Sequence, residues 1–109
     1  MSLRRGSGRR AAVFAALGDE TRLALIGKLS GGERCSIVQL TEGTKLTRQA
    51  VTKHLRVLER VRLVHRRRDG RESVFEFNGQ PVNEMRDYLE VVSRRWDAAL
   101  GRLKRFVED

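Results

Sequence analysis

Nine arginines and lysines fall between Thr47 and Glu72: Arg48, Lys53, Arg56, Arg60, Arg62, Arg66, Arg67, Arg68 and Arg71, against only Glu59, Asp69 and Glu72. Guanidinium and ammonium groups at this density suit phosphates, while Gln49 and Thr52 among them carry the amide and hydroxyl groups that read base edges. The rest of the chain sharpens this contrast. Residues 1–10 hold Arg4, Arg5, Arg9 and Arg10 with no acid, whereas 11–46 and 81–109 balance their charges. The net charge of +9 over 109 residues is therefore concentrated, which points to a polyanionic partner such as nucleic acid.

Other chemistries find no support in the residue types. A single cysteine, Cys35, and two histidines, His54 and His65, offer no metal-ligand spacing. No nucleophile-base-acid set, phosphate loop or pair of catalytic carboxylates is visible, so neither an enzyme nor a cofactor is expected. Cys35 beside Arg34 at an expected helix start could favour a thiolate and a redox switch, but a bystander thiol is the simpler reading. His54 reads as a backbone-phosphate or packing contact, and His65 as a strand residue. No apolar run is long enough to span a bilayer and no secretory signal is visible, so a soluble, cytoplasmic protein with no membrane partner is expected.

The elements that must position the cationic residues follow from periodicity. Thr47 is a good N-cap, and Val51, Leu55 and Leu58 recur at i, i+4 and i+7, which predicts a helix over about 47–61 with one packing face. Gln49, Thr52, Lys53, Arg56 and Arg60 fall on its other side. Strand-like runs at 63–66 and 73–77 flank Asp69-Gly70, the pair favoured in a type I′ hairpin, predicting a wing over about 63–78 with Arg66, Arg67, Arg68 and Arg71 near its tip. Upstream, Val13, Phe14 and Leu17 mark a first helix. Asp19 caps a second with Leu23, Ile26 and Leu29 inward, and 36–42 forms a short third helix with Ile37 and Leu40 inward. Residues 1–10 read as a flexible basic arm. After Pro81, Met85, Leu89, Val92, Trp96, Ala99, Leu103 and Phe106 keep a 4-3 spacing over three heptads, widened by Leu100 and Val107, predicting a helix over about 81–107.

The expected fold is mainly α with a small β-hairpin: a winged helix-turn-helix domain over 11–109 with a long C-terminal dimerisation helix. In such folds the second helix of the motif enters the major groove and the wing reaches backbone or minor groove.

The segments Leu17-Gly18-Asp19-Glu20-Thr21-Arg22, Leu46-Thr47-Arg48-Gln49-Ala50-Val51-Thr52-Lys53-His54-Leu55 and Arg67-Arg68-Asp69-Gly70-Arg71-Glu72 resemble the ArsR-type winged-helix repressors. Within that family the chain looks most like members with a Trp on the last helix, here Arg95-Trp96-Asp97. The resemblance implies a homodimeric regulator, usually a repressor, bound to operator DNA. It implies DNA contacts from Thr47, Arg48, Gln49, Thr52, Lys53, His54, Arg56, Arg66, Arg67, Arg68 and Arg71. It also implies a dimer interface from the first and last helices, with Val13, Phe14, Leu17, Met85, Leu89, Val92, Trp96, Leu100 and Leu103. Two departures stand out. Ser36 and Val38 occupy the place of the Cys-x-Cys pair of metal-sensing relatives, and the last helix has no His, so no metal is expected. Arg62 stands where relatives often have Gly; if that position needs positive φ, Arg62 is mildly strained. Two other readings are an interaction module that recruits a protein through the C-terminal helix, and a repressor controlled by the Cys35 thiol. Any small-molecule effector is unspecified by the sequence.

Overall fold

A computed structural model describes residues 2–108 of the chain, with side chains described from Gly8 to Glu108. In chain order the elements are α1 (Ser2–Leu17), α2 (Glu20–Leu29), β1 (Cys35–Ser36), α3 (Ile37–Thr41), α4 (Arg48–Arg60), β2 (Val64–Asp69), β3 (Glu72–Phe77) and α5 (Gln80–Glu108). The strands form an antiparallel sheet in the order β1-β3-β2.

Capping side chains set the helix starts. Asp19 accepts from the Arg22 amide at 2.9 Å, Ser36 and Gln39 form a reciprocal capping box around α3, and Thr47 accepts from the Ala50 amide at 3.1 Å. The core is built from one face of each element: Val13 and Ala16 of α1, Leu25, Ile26 and Leu29 of α2, Leu40 of α3, Val51, Leu55 and Leu58 of α4, then Leu63, Val64, Phe75 and Met85. The apolar triplet of α4 is fully buried. Each such Leu contributes about 1.5–3 kcal/mol through burial, which holds α4 by its back and leaves its front free.

Several expectations are corrected. Residues 2–10, read as a flexible arm, lie in the first turns of α1, where Leu3 and four arginines favour helix against Gly6 and Gly8 and no proline interrupts. In α2 the inward residue is Leu25; Leu23 is 57% exposed, because the buried stripe runs through Leu25, Ile26 and Leu29. Cys35 lies in a short strand instead of at a helix start, paired with Phe75 and packed against the core. The hairpin loop is Gly70-Arg71, since Asp69 pairs with Glu72, and positive φ occurs at Gly70 (63°) but not at Asp69. Positive φ at the first central residue alone is the type II′ pattern, one residue displaced from the expected I′ turn.

Candidate nucleic-acid interface

The front of α4 presents Arg48, Gln49, Lys53 and Arg56 exposed, with Thr52 half-buried among them. With Ile37 and Val38 of α3 these residues line one open depression, so the packing of α3 against α4 shapes the surface that the cationic face surrounds. The Thr52 hydroxyl donates to the Arg48 carbonyl at 2.7 Å, leaving its lone pairs free to accept. Gln49 makes no side-chain hydrogen bond among the described residues, so both its donor and its acceptor are available to a base edge.

The wing carries less free charge than its composition implied. Arg67 pairs with Glu76, to which Arg34 also donates at 3.1 Å, and Arg66 lies 3.9 Å from Glu59. The hydrogen bond from Arg67, reinforced by the two positive charges, holds the Glu76 carboxyl below its ordinary range. Arg68 and Arg71 at the very tip make no ion pair among the described residues, and neither do Asp69 and Glu72 beside them.

His54 is not on the open face. It is half-buried, its Nδ1 sits 3.3 Å from Arg22 Nη1 and 3.8 Å from Asp19 Oδ2, and Arg22 Nε donates to the Ala16 carbonyl at 2.6 Å. Arg22 therefore satisfies an orphan carbonyl at the end of α1 while touching α4. Of the two readings of His54, a backbone-phosphate or a packing contact, these distances favour packing, which ties α4 to the α1–α2 junction. The amide of Arg22, helped by the charges of Arg22 and His54, holds the Asp19 carboxyl below its ordinary value.

Residues 10–67 match a family model described as a helix-turn-helix domain. An uncharacterized HTH-type transcriptional regulator of Bacillus subtilis, YuzN, is 36% identical over 91 residues, spanning 77% of this chain and 99% of that protein. An ArsR-like transcriptional regulator from Rhodococcus superposes with a TM-score of 0.79 at 34% identity, covering 92% of this chain and 93% of that one. The chain belongs to the ArsR-type winged helix-turn-helix regulators. A domain from Mycobacterium bovis described as a homodimeric winged helix-turn-helix shares the fold, with a TM-score of 0.64, 23% identity and 80% coverage of each chain.

As a member of the ArsR-type regulators the chain is a DNA-binding transcriptional regulator, in which α3 and α4 form the helix-turn-helix and β2–β3 the wing. Of the residues expected at a subunit interface, Val13 (3% exposed) and Met85 (7%) are consumed by the chain's own core. Phe14 and Leu17 are partly buried against that core. Leu89, Val92, Trp96, Leu100 and Leu103 lie exposed along α5, continued by Phe106 and Val107. Among the described residues no helix is long and apolar enough to cross a membrane. Sequence reading missed the Arg22–His54–Asp19 junction; its signal was an Arg three residues after a capping Asp, which periodicity does not weigh. It also missed Tyr88, which stacks under Arg10 at 4.5 Å and packs 6.3 Å from Phe14, joining α1 to α5.

Proposed function

We propose that this regulator is a homodimeric, sequence-specific repressor that reads operator DNA with the exposed face of α4 and grips the flanking backbone or minor groove with the wing. The observation that carries the reading is the one-sidedness of α4: three fully buried aliphatic residues behind, and Arg48, Gln49, Thr52, Lys53 and Arg56 in front. Gln49 suits bidentate pairing with adenine and Arg48 or Arg56 with guanine, whereas Lys53, Arg68 and Arg71 suit phosphate. Arg66 and Arg67 reach phosphate by exchanging their carboxylate partners.

The dimer rests on α5. Leu89, Val92, Trp96, Leu100, Leu103, Phe106 and Val107, from 41% to 81% exposed, present on the order of 700 Å², above the few hundred a monomer usually shows and near one partner's share of a standard interface. A C2 dimer covers this face with itself, and one structural relative is itself described as homodimeric. Two α4 helices then meet half-sites about 34–36 Å apart.

The test is a shift assay on the protein's own upstream DNA across a salt series. Preference for that DNA over scrambled sequence, and a log–log salt slope between about −5 and −9 from six to ten neutralised phosphates, support the reading. Equal affinity for both sequences refutes it.

A further inference from the structure

Arg62 has a φ of +63°, a left-handed conformation that strains an arginine and leaves a glycine at ease. The backbone there is fixed on both sides. The Leu63 amide reaches back to the Leu58 carbonyl at 3.0 Å and the Arg62 amide to Glu59 at 3.0 Å, closing the end of α4. The Arg62 carbonyl in turn accepts from the Asn78 side-chain amide at 2.8 Å, and the Asn78 amide donates to Leu63 at 2.9 Å. Any residue at 62 must adopt this conformation, so the conformation does not account for the side chain. The arginine head calls for a separate reason.

Its surroundings supply one. Arg62, Arg60 and Arg9 line a single cleft of about 200 Å³ together with Ala12, Val13 and Val61, where α1 crosses the end of α4. Arg9 is paired with Glu84 at 3.3 Å, but Arg60 and Arg62 have no carboxylate partner among the described residues. The half-charge of the α4 C-terminus offsets only part of the two unpaired guanidinium charges. Fork-shaped donors on three residues that line one small cleft suit a phosphate.

We propose that Arg9, Arg60 and Arg62 form a second phosphate-binding site, separate from the reading face. Arg60 is twelve residues beyond Arg48, about 18 Å along the axis, so the site lies at the opposite end of α4. Two sources can fill it. One is backbone phosphate beyond the half-site, since Arg60 lies within about 20° of Gln49 around the helix and continues its cationic stripe. The other is a free phosphate-bearing solute. The first source rests on the DNA-binding reading above and the second does not.

The experiment compares the full chain with Arg62→Gly and Arg60→Gln. DNA affinity is measured over a salt series, and melting is followed with and without inorganic pyrophosphate at constant ionic strength. Arg62→Gly relaxes the backbone and is expected to melt about 4 °C higher, which excludes unfolding as the cause of any lost binding. If DNA fills the site, each variant loses affinity at low salt and its log–log slope becomes shallower by about 0.9 per protomer. If a free solute fills it, pyrophosphate raises the melting point of the parent, the rise vanishes in both variants, and the salt slopes stay equal. The proposal is overturned if both variants keep the parent's slope and its pyrophosphate response. A parent chain that binds no DNA overturns the operator reading instead, and the pyrophosphate arm then decides this site alone.

Discussion

Trp96 provides the sharpest test of the dimer. It is the only tryptophan in the chain and is 63% exposed on a single protomer. A covered tryptophan in this position removes about 150 Å² from water, close to 4 kcal/mol at about 25 cal/mol per Å². Alanine keeps its own methyl and lets neighbours close part of the gap, so Trp96→Ala is expected to cost about 2 kcal/mol per protomer. Two copies lose about 4 kcal/mol, raising the dimer Kd roughly 1000-fold. Alanine is the best helix former, so α5 itself survives the change. Sedimentation equilibrium reads the shift directly, and the parent's tryptophan emission should move to the red on dilution as the indole re-enters water. A parent that stays monomeric at every concentration, or a variant whose Kd lies within tenfold of the parent's, would falsify the assignment of this face.

Other consequences can be checked at the bench. Gln49→Ala should lower discrimination at one operator base pair by about 1–3 kcal/mol in competition binding, whereas Lys53→Ala should weaken all sequences alike and flatten the salt slope by about 0.9 per protomer. Leu55→Ala, which empties a fully buried site behind the reading face, should cost about 2–5 kcal/mol in urea unfolding with an unchanged m-value. Thr47→Ala removes the cap of α4 and should cost about 1 kcal/mol by the same measurement. For pH, the Arg22 amide holds the folded Asp19 carboxyl below its ordinary value, so its contribution is present above the unfolded pKa and is lost as pH falls through the lower, folded one. Asp19→Asn keeps a capping oxygen, and its stability should fall less steeply under acid than the parent's. A parallel fall in both proteins would show that Asp19 does not carry this dependence.

The parts of the molecule visible in the sequence were those with strong periodicity. Val51, Leu55 and Leu58 repeat at helical spacing on a chain whose remaining positions are charged, so α4, its face and its Thr47 cap could be placed. The 4-3 spacing after Pro81 likewise located α5. The hairpin turn was displaced because hydrophobic alternation cannot decide it. The two turns pair Arg68 with Arg71 or Asp69 with Glu72, a slip of two partners that leaves every side chain on the same face. What separates them is the closing bond from Asn78 to Leu63, because either register sets two like charges opposite each other at the tip, Arg68 and Arg71 or Asp69 and Glu72. Strand β1 carried no signal, since two residues have no period and exist as a strand only because β3 offers an edge. His54 stays open between phosphate and packing in the sequence because its position on the flank of α4 is compatible with either side, and the approach of Asp19 and Arg22 from outside α4 favours packing. Val13 and Met85 fit the interface pattern and the core pattern equally, and the crossing of α1 over the domain assigns them inward.

The two-residue β1 has an entropic consequence for the wing. A hairpin joined to its domain only at the base swings, and a nucleic acid that grips its tip must first freeze that motion. Here β3 is the central strand, held by β2 on one edge and by Cys35–Ser36 on the other, with Arg34 and Arg67 reaching Glu76 from both sides. The spur that bears Arg68 and Arg71 is thus rigid before any ligand arrives. Little ordering remains to be done on contact, and its two unpaired guanidinium groups act at a fixed distance from α4.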